Sequence, residues 1–229
     1  KICTQLGRDV LAGEYQTRRS VLLETLKEKC YDPKAELFSN GSKTKAYCMH
    51  TIIWSILANA LSPEENERML SHLFDPALQK SSFSMNFFLF RALEQVGQYD
   101  LAFPFFAQWE SMLKLHCTTW CENPDSPRSE CHAWSCAPYY EFSANILGVT
   151  VGSEQEITIA PKPGSLTWAK GIVPTRFGAI TIDWEICDEV FTLRLSGAAS
   201  ILKTIVLPNG TKAQTTDENF EITEKRIGE

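Results

Sequence analysis

No stretch of this 229-residue chain reaches the roughly 18 consecutive apolar residues of a membrane span. A helical membrane anchor within it is therefore not expected. No run of lysines and arginines stands out, and 22 basic against 28 acidic residues leave a net charge of −6. The electrostatic footprint of a nucleic-acid binder is missing. None of the eight cysteines belongs to a Cys-x-x-Cys pair, and disulfide frameworks are typical of much shorter secreted chains. Residue 1 is Lys rather than Met, and no signal peptide follows. The chain is expected to be a processed product or an excised part of something longer, and no targeting segment assigns a compartment. Nothing in the sequence implies a cofactor.

What is present is concentrated in residues 116–138. Three prolines interrupt this stretch, and neither a period of 3.6 nor one of 2 runs through it. Irregular segments this long are uncommon in compact domains and are usually functional or disordered. Two tryptophans, two histidines, three carboxylates and four cysteines argue against disorder. Indole faces pack on the C–H surface of a sugar, and carboxylates supply acid–base chemistry. The alternative is a loop pinned by a buried tryptophan with solvated acids around it. The cluster Cys117, Cys121, Cys131, His132 and Cys136 raises zinc. Its gaps of three, nine and four residues are longer than structural zinc sites favour. Small buried thiols fit the composition better, with one local disulfide still open.

Before this loop the pattern is helical. Leu11, Tyr15, Leu22 and Leu26 predict an amphipathic helix over 8–30, ended by Asp32-Pro33. Residues 34–44 read as a loop around Asn40-Gly41. Tyr47, His50, Ile53, Trp54, Leu57 and Leu61 predict a helix over 45–61, with His50 a satisfied buried histidine rather than a catalyst. Ser62-Pro63-Glu64-Glu65 carries a capping box that opens a third helix, with Met69, Leu70, Leu73 and Phe74 on its apolar side. A fourth helix spans 82–96 and ends at Gly97. Asp100 is expected to cap a fifth, with Pro104 in its first turn, running to about Leu115. A short sixth, Tyr139–Leu147, is stopped by Gly148. Short connections make successive helices antiparallel neighbours.

At about residue 150 the period changes to 2. Ile157 and Ile159, then Ile180, Ile182 and Trp184, then Phe191, Leu193 and Leu195 alternate with polar residues, and Asn209-Gly210 is a hairpin signal. Asn40-Gly41-Ser42 and Asn209-Gly210-Thr211 also match the glycosylation acceptor pattern, accidental in a bacterial protein. The expected fold class is α+β: antiparallel helical hairpins over residues 1–150, then a small antiparallel β-sandwich over 151–229.

Two ordered motif sets carry a family resemblance. Thr118-Thr119-Trp120-Cys121-Glu122, Ser129-Glu130-Cys131-His132-Ala133-Trp134-Ser135 with Pro138, and Ile146-Leu147-Gly148-Val149 resemble the end of the catalytic barrel in bacterial α-L-rhamnosidases of glycoside hydrolase family 78. Leu166-Thr167-Trp168-Ala169-Lys170-Gly171, Val173-Pro174-Thr175, Gly178, Ile180 and Trp184 resemble the β-sandwich that follows that barrel. The resemblance runs from about residue 8 to about residue 195. Two positions depart from it. Cys121 stands where the family often has an aromatic residue, and Arg176 where a proline often follows Pro-Thr.

The resemblance implies an (α/α)6 barrel of twelve helices followed by a sandwich, and hydrolysis of terminal α-L-rhamnose with inversion. It assigns the general base to Glu122 and a sugar contact to His132, with Trp120 and Trp134 as candidates to line the pocket. For Trp134 the competing reading is a core residue that packs the loop. The family's general acid lies near the start of the barrel and has no counterpart upstream of residue 8. The chain is thus expected to be the C-terminal part of such a barrel plus its sandwich, carrying one of two catalytic carboxylates and inactive alone. The implied partners are a rhamnose-containing glycoside or polysaccharide and the N-terminal remainder of the same enzyme, with self-association through an open helical face. The alternatives are a non-catalytic carbohydrate-binding or interaction module of the same fold, and a helical-barrel glycosidase for another sugar.

Overall fold

Two of the helices begin where a serine side chain can satisfy their first free N–H groups. In the computed structural model, which describes residues 1–123, 129–152 and 155–225, the Ser62 hydroxyl accepts from the Glu65 N–H at 3.3 Å. The Glu65 carboxylate accepts from the Ser62 N–H at 2.8 Å. That reciprocal box starts a helix at Pro63, as the spacing predicts. Ser82 caps the next one through the Met85 N–H.

The chain separates into two compact units, Lys1–Gln98 and Tyr99–Glu229. In the first, helices α1 (Ile2–Gln5) and α2 (Asp9–Cys30) lead into a two-residue hairpin of β1 (Tyr31–Asp32) and β2 (Leu37–Phe38). Helices α3 (Met49–Leu57), α4 (Pro63–Leu70) and α5 (Phe83–Gln95) follow. Ile52, Ile53 and Ile56 of α3, Met69 of α4 and Leu89, Phe90 and Leu93 of α5 are buried.

Several expectations need correction. Helix α2 forms over the predicted span but buries none of its residues: Tyr15, Leu22 and Leu26 on the predicted apolar face are 55%, 68% and 39% exposed, because nothing among the described residues covers that face. The helix expected over 45–61 starts only at Met49. Cys48 is extended, and the Tyr47 hydroxyl is drawn to Asp32 at 3.0 Å. His50 is half-buried rather than enclosed, and Phe74 is exposed. The loop over 34–44 contains β2.

The second unit opens with helical turns in place of the single helix expected from Asp100. Asp100 lies inside a 3-10 turn (Tyr99–Ala102) rather than capping anything. Helix α6 (Phe103–Phe106), a second 3-10 turn (Ala107–Trp109) and α7 (Glu110–Lys114) follow. Pro104 has no N–H and cannot continue the ladder from the turn before it, so the helix restarts there. After the irregular loop, α8 (Ala137–Glu141) widens into a π-helical turn over Phe142–Ile146. Gly148 ends it with φ +79, a backbone setting that suits glycine. The buried Glu141 carboxylate is matched here: Oε2 accepts from the Tyr99 hydroxyl at 2.8 Å and from Asn145 Nδ2 at 2.7 Å.

Strand begins at Val149. Two four-stranded sheets face each other. One has the order β10 (Asn219–Lys225), β7 (Val190–Gly197), β6 (Gly178–Cys187), β5 (Trp168–Thr175), antiparallel throughout. The other runs β3 (Val149–Val151), β4 (Glu156–Ile159), β8 (Leu202–Val206), β9 (Lys212–Thr215). Its central pair β4–β8 is parallel, with Ile157 opposite Lys203. The sandwich is therefore antiparallel except for that pair. A parallel neighbour must come from a distant part of the chain, and no local turn signal announces it. The period-2 residues behave as predicted: Ile157, Ile159, Ile180, Ile182, Trp184, Phe191, Leu193 and Leu195 form the core between the sheets. Trp184 is fully buried and stacks on Phe191 at 5.5 Å, and its indole N–H donates to the Ile146 carbonyl at 2.9 Å. Truncating a core indole to alanine costs about 3–5 kcal/mol. Asn209-Gly210 sits in the β8–β9 connection, with Gly210 at φ +91. Among the described residues no helix is long and apolar enough to cross a membrane.

Candidate active site

The loop after α7 is held at its entry by the helix end itself. His116 adopts φ +55 and its N–H donates to the Leu113 carbonyl, while the Cys117 N–H reaches back to Met112 at 2.9 Å. That paired closure turns the chain sharply out of the helix. Thr118 to Glu122 then run beside the returning arm. The His132 N–H donates to the Trp120 carbonyl at 2.7 Å, and the Glu122 N–H donates to the Ser129 carbonyl at 2.8 Å. The two residue sums differ by one, so the pairing is bulged rather than a regular ladder. Residues 124–128, including the carboxylate of Asp125, lie outside the described residues.

This pairing places Trp120, Glu122 and His132 on facing arms. Trp134 follows in a 3-10 turn, its ring edge-on to His132 with centroids 6.2 Å apart. Trp134 is 76% exposed, so it is not a core residue packing the loop. Trp120 and Glu122 are half-buried, as is His132. Trp120 also lines a depression of about 490 Å³ with Phe106, Trp109, Met112, Leu113 and Phe142. Glu122, His132 and Trp134 are not among its lining residues. The four predicted site residues thus share one loop, but only one of them faces the aromatic depression.

Trp109 falls on the predicted fifth helix, where no motif marks it. It is buried, and its Nε1–H donates to the Ser135 carbonyl at 2.8 Å. A buried indole N–H generally finds a partner, yet which carbonyl it finds is a tertiary matter. All eight cysteines are free thiols, and among the described residues no three His, Cys, Asp or Glu side chains are grouped so as to hold a metal ion. Burial pushes the Cys121 thiol up from its usual value, and the adjacent Cys117 adds to the effect.

Helices precede a β-sandwich in chain order, and Glu122, His132, Trp120 and Trp134 lie on the loop between α7 and α8. Residues 155–220 match the family model described as bacterial alpha-L-rhamnosidase C-terminal domain. The fold is similar to the family 78 rhamnosidase of Bacillus sp. GL1, with TM-score 0.79 and 29% identity, covering 91% of this chain and 24% of that one. It is also similar to α-L-rhamnosidase from Aspergillus terreus, with TM-score 0.78, 18% identity and coverage of 97% and 28%. The Streptomyces avermitilis α-L-rhamnosidase complexed with L-rhamnose gives TM-score 0.73, 16% identity and coverage of 97% and 25%. Among curated protein sequences none matches the chain. The resemblance to family 78 α-L-rhamnosidases therefore extends over most of this chain in fold, and the mixed α and β-sandwich architecture matches the C-terminal part of those enzymes. The chain spans about a quarter of the length of these three structures.

Proposed function

We propose that this chain is part of an inverting glycoside hydrolase that releases terminal α-L-rhamnose from glycosides or polysaccharides, with Glu122 as general base. The observation that carries the reading is the backbone pairing of the Trp120–Glu122 and Ser129–His132 arms. It holds a carboxylate, an imidazole and an indole on one braced loop in a chain whose fold is that of rhamnosidases. In the reaction the Glu122 carboxylate takes a proton from a water. The water oxygen attacks the anomeric carbon from the face opposite the leaving oxygen. A second carboxyl, roughly 6.5–9.5 Å away in inverting enzymes, protonates that oxygen. This acid is supplied from outside these 229 residues, so the chain alone does not turn over substrate. His132 hydrogen-bonds a sugar hydroxyl, and the exposed Trp134 indole and Trp120 offer apolar faces to the ring.

Helix α2 supports the accompanying proposal about partners. Tyr15, Leu22 and Leu26, on one face of it, are 55%, 68% and 39% exposed, an apolar surface suited to being covered. The remainder of the same enzyme is the occupant that fits a chain of this coverage, with self-association as the competing one.

The test is hydrolysis of a chromogenic α-L-rhamnoside by the chain, by the chain supplemented with the upstream part of the enzyme, and by both carrying Glu122→Gln. The expected result is no turnover alone, turnover on supplementation, and loss of at least a thousandfold with Glu122→Gln. Saturable sugar binding without turnover in the supplemented sample would replace this reading with a carbohydrate-binding module.

A further inference from the structure

Helix α4 carries Pro63, Asn66, Glu67 and Leu70 along one stripe, at the three-, four- and seven-residue spacing of a single helix face. All four line a pocket of about 520 Å³ that lies wholly within the first unit. Its volume is in the range of small-molecule sites. Asn66 is 8% exposed, and its Oδ1 has no hydrogen-bond partner among the described residues. A buried acceptor without a donor is costly, and a ligand that brings one relieves the cost. The amide of Gln95, on the same pocket, is already engaged: its Nε2 donates to the Ile56 carbonyl at 2.7 Å and to Asn59 Oδ1 at 3.0 Å. The charge on the lining selects the donor. Glu64 and Glu67 are the only ionisable lining residues, and no lysine, arginine or histidine is among them. The Ser62 hydroxyl donates to Glu64 at 2.8 Å and holds its carboxyl below the usual range. The basic side chains of the surrounding helices are committed elsewhere, Lys27 to Glu65 at 2.9 Å, Arg68 to Glu36 at 2.7 Å and Arg19 to the Ala58 carbonyl. Helices α3 and α5 end at this pocket and add partial negative charge. The opposite partial charge of the α4 start is met by Glu64 and Glu65.

We propose that this pocket binds the ammonium group of a small primary alkylamine. An ammonium N–H donates to Asn66 Oδ1, the carboxylates of Glu64 and Glu67 balance the charge, and the alkyl stem lies against Leu61, Pro63 and Leu70. A neutral alcohol of the same length brings a donor but no charge, and an anion meets two carboxylates with no cation beside them. The ammonium therefore answers both features of the site, the orphaned acceptor and the uncompensated negative lining. The pocket shares no residue with the loop of the proposed reaction, and the inference does not depend on that reaction.

The experiment titrates the 229-residue chain with butylamine at pH 7 and follows backbone amide resonances by NMR, with 1-butanol as the neutral counterpart. Saturable shifts are expected at Asn59, Asn66, Glu67 and Val96, and none with the alcohol. Asn66→Leu is expected to weaken the response about tenfold or more while melting at or above the wild-type temperature, because the orphaned acceptor is gone. Asn66→Asp keeps an acceptor oxygen and is expected to bind at least as tightly as wild type. Shifts that grow linearly without saturating, shifts scattered outside the pocket, an equal response to 1-butanol, or an undiminished response in Asn66→Leu would each overturn the proposal. The wild-type titrations, amine against alcohol, decide the matter even if a variant is less stable.

Discussion

The Trp109 indole N–H donates to the Ser135 carbonyl at 2.8 Å, and both residues are buried. This one bond ties the turn before α7 to the turn that follows His132 and holds Trp134. It spans the base of the loop that carries the candidate site.

Trp109→Phe keeps an aromatic ring but removes the donor and strands a buried carbonyl. Leaving a buried acceptor unpaired costs about 1–3 kcal/mol. A urea titration should show that loss of stability. Limited proteolysis should show faster cleavage within residues 116–135 than in the sandwich. Unchanged stability and unchanged cleavage would mean that the bond does not brace the loop.

Trp134→Ala separates a surface role from a packing role. At 76% exposure, the side chain contributes little to folding, and surface substitutions are usually within ±0.5 kcal/mol, roughly. The expected outcome is an unchanged melting curve together with a several-fold weaker response to rhamnoside in the supplemented enzyme. A drop of several degrees in Tm would place Trp134 among the packing residues instead.

Gly148 is the stop of the π-helical turn and cannot be replaced cheaply. A Cβ there would lie 2.3 Å from the Pro161 nitrogen and 2.4 Å from the Ala160 carbonyl carbon, on a backbone at φ +79. Both the clash and the left-handed setting oppose any side chain. Gly148→Ala should cost about 3 kcal/mol or more, read as a shifted unfolding midpoint. Gly171→Ala should cost less, because its Cβ would meet the Leu147 side-chain end at 2.6 Å, which can move.

Glu224 predicts a pH dependence. It is 7% exposed. Its Oε1 accepts from the Asn209 N–H at 3.1 Å, and its Oε2 has no partner among the described residues. Burial raises its pKa above the ordinary 4.5. The folded state therefore holds the proton more tightly than the unfolded state. Its contribution is fully present below the unfolded value and is lost as pH rises through the folded one. Glu224→Gln should raise Tm relative to wild type at pH 7, with the difference shrinking toward pH 4. A variant less stable than wild type at pH 7 would show that the ionised carboxylate is well tolerated there.

Much of the fold was legible because it depends on neighbours in the chain. Ser62 and Glu65 are three residues apart, so their capping box needs nothing but a helix start. Ile180, Ile182 and Trp184 alternate with polar residues, so they can bury one face of a strand and no other pattern suits them. The site was legible only as a set of residue types. Glu122, His132, Trp120 and Trp134 were identified by motif order. Neither the bulged pairing of their two arms nor the separation of Glu122 from the aromatic depression could be read from that order. The broken helix between Tyr99 and Lys114 was missed because hydrophobic spacing averages over a helix and does not register a local change of hydrogen-bond step.

The sequence by itself determined where helix gives way to strand, which faces of the strands are buried and which loop collects the polar and aromatic groups. Those follow from side-chain period and from caps, which act over a few residues. Tertiary structure alone decided that β4 pairs in parallel with β8, that Trp109 clasps Ser135 and that α2 buries nothing. Each of those is a choice among partners of similar local chemistry. Such choices are settled only when the whole chain has satisfied its buried donors and acceptors at once.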